Sequence, residues 1–148
     1  HARLYGGKDP NAPAAIIEDL RAARAIRPLA DYWTDCGKTY VVVMAQPAAA
    51  IPDLEQAIAL ADTQGRLREQ GRARAWLGVA YLLTDREERA VEIWLEGIRI
   101  APQQTATYAF VAHLPKASAT ARRKILNAAP PQIRRQIEEA LATGVRDR

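Results

Sequence analysis

One stretch of this 148-residue chain allows few folds. Over residues 71–102 small and bulky side chains recur at set places: Leu77-Gly78, Tyr81, Ala90, Trp94, Gly97 and Pro102. The spacing predicts two antiparallel helices joined by a short turn. Gly78 and Ala90 are small where such helices approach closely. Leu77, Tyr81 and Trp94 are large where the crossing has to be filled. Gly97 keeps the second helix thin where a following hairpin docks. Pro102, which cannot continue a helix, opens the next unit.

These residues at these spacings resemble one tetratricopeptide repeat (TPR), a helix–turn–helix unit of about 34 residues. The resemblance covers residues 14–128 and implies an all-α fold, an α-α superhelix of antiparallel helix pairs. Upstream, Trp33, Cys36-Gly37 and Tyr40 match a first helix, and Ala50, Leu54 and Ala57 its second. Gly37 and Gly78 are 41 residues apart, longer than the usual period. The excess falls in Asp62–Arg72, as an extended helix start or a longer loop. Earlier, Ile16, Leu20, Ala23 and Pro28 fit a second helix, with Tyr5–Pro10 as the turn before it and His1–Leu4 as the end of its first. Downstream, Tyr108 and Ala112 mark a first helix cut short by Pro115, and Ala121, Ile125 and Ala128 suit its partner. Pro130-Pro131 then opens a last helix. The expected layout is a single domain: a partial unit 1–28, repeats 29–62 and 71–102, a degenerate repeat 103–129 and a C-terminal helix 130–143. About eight helices are expected, the first near 13–27.

Punctuation fits this layout. Pro28, Pro47, Pro102, Pro115 and Pro130 fall between the expected helices. Asp85 followed by Glu88 reads as a capping box, and Ser118 as the cap of the helix carrying Ala121. Composition agrees: 49% of residues are hydrophobic and only 6% aromatic, which favours close-packed helices over a sheet. The one β-rich run, Tyr40–Val43, is taken by the repeat register as the end of a helix.

Composition also narrows function. No run approaches the roughly 20 apolar residues of a membrane helix, so no membrane insertion is expected. The reading is a soluble chain, cytoplasmic or periplasmic. It starts with His1 rather than Met and is expected to be a processed or excised piece of a larger, bacterial-type array. The single Cys36 excludes an internal disulfide and argues against a Cys-based metal site. Charge is uneven. Residues 116–148 hold eight basic and three acidic side chains, so that end carries +5 and residues 1–115 sum to −1 within the total of +4. Nucleic acid is not the expected partner, because no aromatics interleave with Arg122, Arg123, Lys124, Arg134 and Arg135. That segment reads as a solvated surface, with an anionic partner as the alternative.

No catalytic set converges. Cys36, Asp35 and His113 supply the residue types of a thiol triad, but Cys36 occupies a packing position and His113 lies two units away. Gly6-Gly7-Lys8 lacks both the earlier glycine and the following Ser/Thr of a phosphate loop. Asp85, Glu87 and Glu88 cluster at a helix start, where negative charge is favoured without an ion. No enzyme activity, cofactor or metal is expected.

The resemblance implies instead a concave groove lined by first helices and holding a peptide or helix of a protein partner. Its candidate positions here are Lys38 and Val41, then Arg72, Trp76, Val79 and Leu82, then Phe110 and His113. The Lys/Asn clamp for a C-terminal carboxylate found in some members is incomplete, since the matching places hold Thr34, Lys38, Ala75, Val79, Ala109 and His113. Trp76, Val79, Leu82 and Phe110 are expected to form an exposed apolar anchor site, with Arg72 and Lys38 at its rim. Alternatively, the chain's own termini fill that groove. Self-association through an open end carrying Ile16, Ile17 and Leu20 is the other expected mode.

Overall fold

The computed structural model describes residues 12–107 and 110–146, with the side chains of 110, 111 and 144–146 outside the description. The expected turn at Tyr5–Pro10 and helix end at His1–Leu4 also lie outside the described residues. Every regular element among those described is helical. In order these are α1 (Ala12–Ile26), α2 (Ala30–Val42), α3 (Pro47–Gln64), α4 (Leu67–Leu83), α5 (Glu87–Ile100), α6 (Pro102–Thr107) and α7 (Phe110–His113). A 3-10 turn (Leu114–Lys116), α8 (Ala119–Ala128) and α9 (Pro131–Arg146) follow. Tyr40, Val41 and Val42 close α2, as the register requires, and form no strand.

Turns of two to four residues join α1 through α5, so each helix packs against the one before it. Contacts also skip one helix: α2 lies on α4, and α4 on α6. The close approach expected at Gly78 is present, and Gly37 makes a second. A Cβ on Gly78 would fall within the Trp94 indole, and one on Gly37 within the Leu54 side chain. Gly97 faces the next unit, where a Cβ would come 2.7 Å from Thr105 Oγ1 of α6. One contiguous apolar core runs from Val41 through Leu77, Trp94 and Leu114 to Ile137.

The long period is absorbed as helix. The helices α3 and α4 are 18 and 17 residues long against 13 for α2 and 14 for α5. Only Gly65 and Arg66 separate them. Gly65 takes φ +64°, a left-handed conformation that costs glycine nothing, and the Gly65 and Arg66 amides close the α3 terminus on Asp62 O and Ala61 O.

The same device explains why the capping box at Asp85 is not formed. Asp85 is itself left-handed, at φ +60°, and its amide and that of Arg86 bond back to Leu82 O and Tyr81 O. The residue is used to end α4, and Arg86 becomes the N-cap of α5 without a side-chain cap bond. Ser118 does cap α8, its Oγ accepting from the Ala121 amide at 3.1 Å. Among the described prolines, Pro52 alone stands well inside a helix, in α3, where it removes one backbone donor.

Candidate functional site

The helix expected to line an open groove is enclosed. Residues 71–81 of α4 are all buried, because α2, α3, α5 and α6 contact it. Arg72 and Trp76 are each 7% exposed, Val79 is 0% and Val41 on α2 is 7%. Leu82 is half-buried, as is His113, whose Nδ1 lies 3.1 Å from Lys116 Nζ. The Phe110 side chain lies outside the described residues. The expected apolar anchor site on Trp76 and Val79 is therefore not an open surface. An apolar side chain off the hairpin face still finds a neighbour when a second first helix lies against it. Lys38 is the exposed member of the set, its ammonium 6.0 Å from the centroid of the Trp76 ring.

The contact between α2 and α4 is ionic at its other end. Arg72 Nη2 bonds Asp35 Oδ1, and its Nη1 lies 3.4 Å from Glu69 Oε2. Arg68 reaches Glu69 at 3.3 Å and Asp31 at 3.7 Å. Glu69 is 1% exposed. Burial raises its pKa above the ordinary glutamate value, with the Arg72 charge acting against that rise. A carboxyl whose pKa is higher folded than unfolded stabilises the fold at low pH, and that contribution is lost as pH rises through the folded value. Glu69→Gln should therefore gain on the parent between pH 4 and 7. Melting curves of both proteins across that range check this, and a constant gap would refute it.

Sequence reasoning missed Val42 and Val43. They are 55% and 53% exposed, and with Ile16 and Leu20 of α1 they line a cleft of about 300 Å³ between α1 and α2. Asp35, Lys38 and Thr39 complete it. The available signal was the run of four β-type residues at the end of one helix: no helix turns Val41, Val42 and Val43 all inward. A second cleft, of about 350 Å³, lies between α5 and α8, lined in part by Val91, Leu95, Glu88, Glu92 and Lys124. Glu87 at its edge is engaged, accepting from the Ser118 amide at 2.7 Å and the Ser118 hydroxyl at 2.9 Å.

Cys36 is fully buried, and burial, followed by the Asp53 charge, pushes its thiol up to about 11. It packs as a small core residue and carries no thiolate at neutral pH. Among the described residues no group of His, Cys, Asp and Glu is placed to hold a metal ion. No described helix is long and apolar enough to cross a membrane. Two of the C-terminal arginines serve the fold. Arg122 donates to Ala117 O, and Arg134 to Leu126 O at 2.8 Å and Asn127 O at 3.3 Å, the last carbonyls of α8. Compared with family models, curated proteins and solved structures, the chain matches none.

Proposed function

We propose that this chain is a non-enzymatic helical scaffold of TPR type. Its role is to hold an apolar helix or peptide of a protein partner, and it does so in the cleft between α1 and α2. The observation carrying this reading is the convergence there of Val42 and Val43, each more than half exposed, with Ile16 and Leu20. The successive helix hairpins, the Gly78–Trp94 approach and the Gly97–Thr105 approach support the repeat type. The alternative is a basic C-terminal surface for nucleic acid or another anion, where Arg123, Lys124 and Arg135 are exposed while Arg122 and Arg134 also donate to backbone carbonyls.

The test sets Val42→Asp/Val43→Asp beside Trp76→Ala. Burying a valine against a partner stabilises a complex by about 1.5 kcal/mol or more, roughly tenfold in affinity. The double variant should lose the partner captured by the parent, measured afterwards with that partner purified, while melting within about 2 °C of the parent. Trp76→Ala should lose stability instead. A double variant that binds as well as the parent refutes the reading.

A further inference from the structure

We propose that Glu69 of α4 keeps a proton and donates it to Asp31 of α2, and that this hydrogen bond is a pH-sensitive lock on the α2–α4 joint. With the proton in place the two helices are fastened. When it leaves for solvent, α2 loosens on α4 while the rest of the fold stands.

The geometry carries this. Glu69 Oε1 and Asp31 Oδ2 reach the same atom, Arg68 Nη1, at 3.3 and 3.7 Å. Glu69 is 1% exposed. Its Oε1 and the Asp31 Oδ1 are both buried, and neither takes part in a hydrogen bond. Buried polar atoms in native proteins are almost always bonded, so each exception needs a cause. Two ionised carboxylates supply acceptors and no donor. One proton on Glu69 turns that unmatched pair into a donor and an acceptor. The ionised Asp31 beside it favours the proton in turn.

The other charges around the joint are engaged. Arg72 Nη2 bonds Asp35, and its Nη1 lies 3.4 Å from the second Glu69 oxygen. Arg66 comes no nearer to Asp31 than 4.0 Å. From α3, Asp62 accepts from Gln70 and Arg74, and from α5 Glu96 accepts from Arg74. On α6, Gln104 and Thr105 lie against Gly71 and do not ionise. On α7, His113 Nδ1 lies 3.1 Å from Lys116 Nζ. Burial acts most on the Glu69 carboxyl and raises its pKa; Arg72 opposes the rise, Asp31 adds to it and Arg68 opposes it. Folding therefore takes up a proton here. The lock is closed in acid and opens as pH rises through the folded value.

Carbon-detected NMR of the Glu69 carboxyl on the intact chain, from pH 2 to 7, follows the proton. Asp31→Asn keeps the shape of the acceptor and removes its charge, so Glu69 should titrate at lower pH than in the parent. Hydrogen exchange follows the joint. Protection factors of the α2 amides should fall at least about threefold between pH 4 and 7, with those of α8 unchanged. Glu69→Gln supplies a permanent N–H donor, and its α2 protection should stay level.

A Glu69 titration unmoved by Asp31→Asn overturns the proposal, because burial alone then holds the proton. A water bridging the two oxygens would satisfy them with both groups ionised. Glu69 would then titrate within or below the ordinary glutamate range, which also overturns it. Equal losses of protection in α2 and α8 overturn the lock, since the proton then acts on the whole fold. So does an α2 loss that persists in Glu69→Gln.

Discussion

Gly78→Ala should destabilise this protein by roughly 3 kcal/mol or more, beyond the usual cost of an added methyl group in a core. The new Cβ would lie within the Trp94 indole. That ring is 0% exposed and its Nε1 donates to Ala75 O at 3.1 Å, so it has neither space to retreat nor a rotation that keeps its hydrogen bond. The two helices must move apart or the ring must leave. Leaving approaches the full cost of losing a buried tryptophan, about 3–5 kcal/mol. A domain of this size should then melt around 10 °C lower.

Urea denaturation gives the stability directly. Trp94→Leu supplies the control: alone it leaves a cavity, but combined with Gly78→Ala it makes room for the methyl group. The double variant should be more stable than the sum of the two losses predicts, as coupled neighbours are. A Gly78→Ala protein that unfolds at the parent's urea midpoint would show that α4 and α5 do not approach as described.

Arg74→Met carries the second large effect, about 2–3 kcal/mol. Arg74 is 1% exposed and joins three helices. It bonds Asp62 of α3 twice, at 2.9 and 2.7 Å, and Glu96 of α5 at 2.9 Å. Breaking a buried ion pair costs about 3–5 kcal/mol. The lower figure applies because the Asp62 and Glu96 side chains are 42% and 41% exposed and rehydrate when released. Methionine keeps most of the buried stem, so the loss measures the pairing more than the packing.

The effect depends on pH. The Arg74 hydrogen bond, with a smaller one from Gln70, holds the Asp62 carboxyl below its ordinary range despite partial burial. A carboxyl whose pKa is depressed on folding contributes its stability above the unfolded value, near 3.9, and loses it as pH falls through the folded value. The gap between parent and Arg74→Met should be widest near neutral pH and close in acid. Asp62→Asn should remove most of that pH dependence from the parent. Thermal melts from pH 2 to 7 test both, and a gap that stays constant into acid would refute the assignment.

Several features were legible before any coordinates. The close approach at Gly78 was readable because a glycine and a tryptophan at hairpin spacing complement each other within one short stretch. The Ser118 cap was readable because a hydroxyl before a helix has one near donor to serve. Asp85 misled because an aspartate between helices can start the second or finish the first. The choice depends on φ, which the residue's identity does not specify. Trp76 and Val79 were expected on an open surface and are buried. Trp76 and Val79 have the same identity and register whether α2 covers them or not.

The sequence by itself determined that this chain is helical, where most hairpins turn and which positions at the helix crossing are small and which are large. All of these follow from interactions within about one repeat. Only the tertiary structure decided which faces remain open. Arg72 and Arg74 look like solvated positions along α4 and are buried, because Asp35, Asp62 and Glu96 reach them from three other helices. Val42 and Val43 look like core and are exposed. Burial also depends on neighbours far apart in the chain, which the pattern along α2 and α4 does not specify.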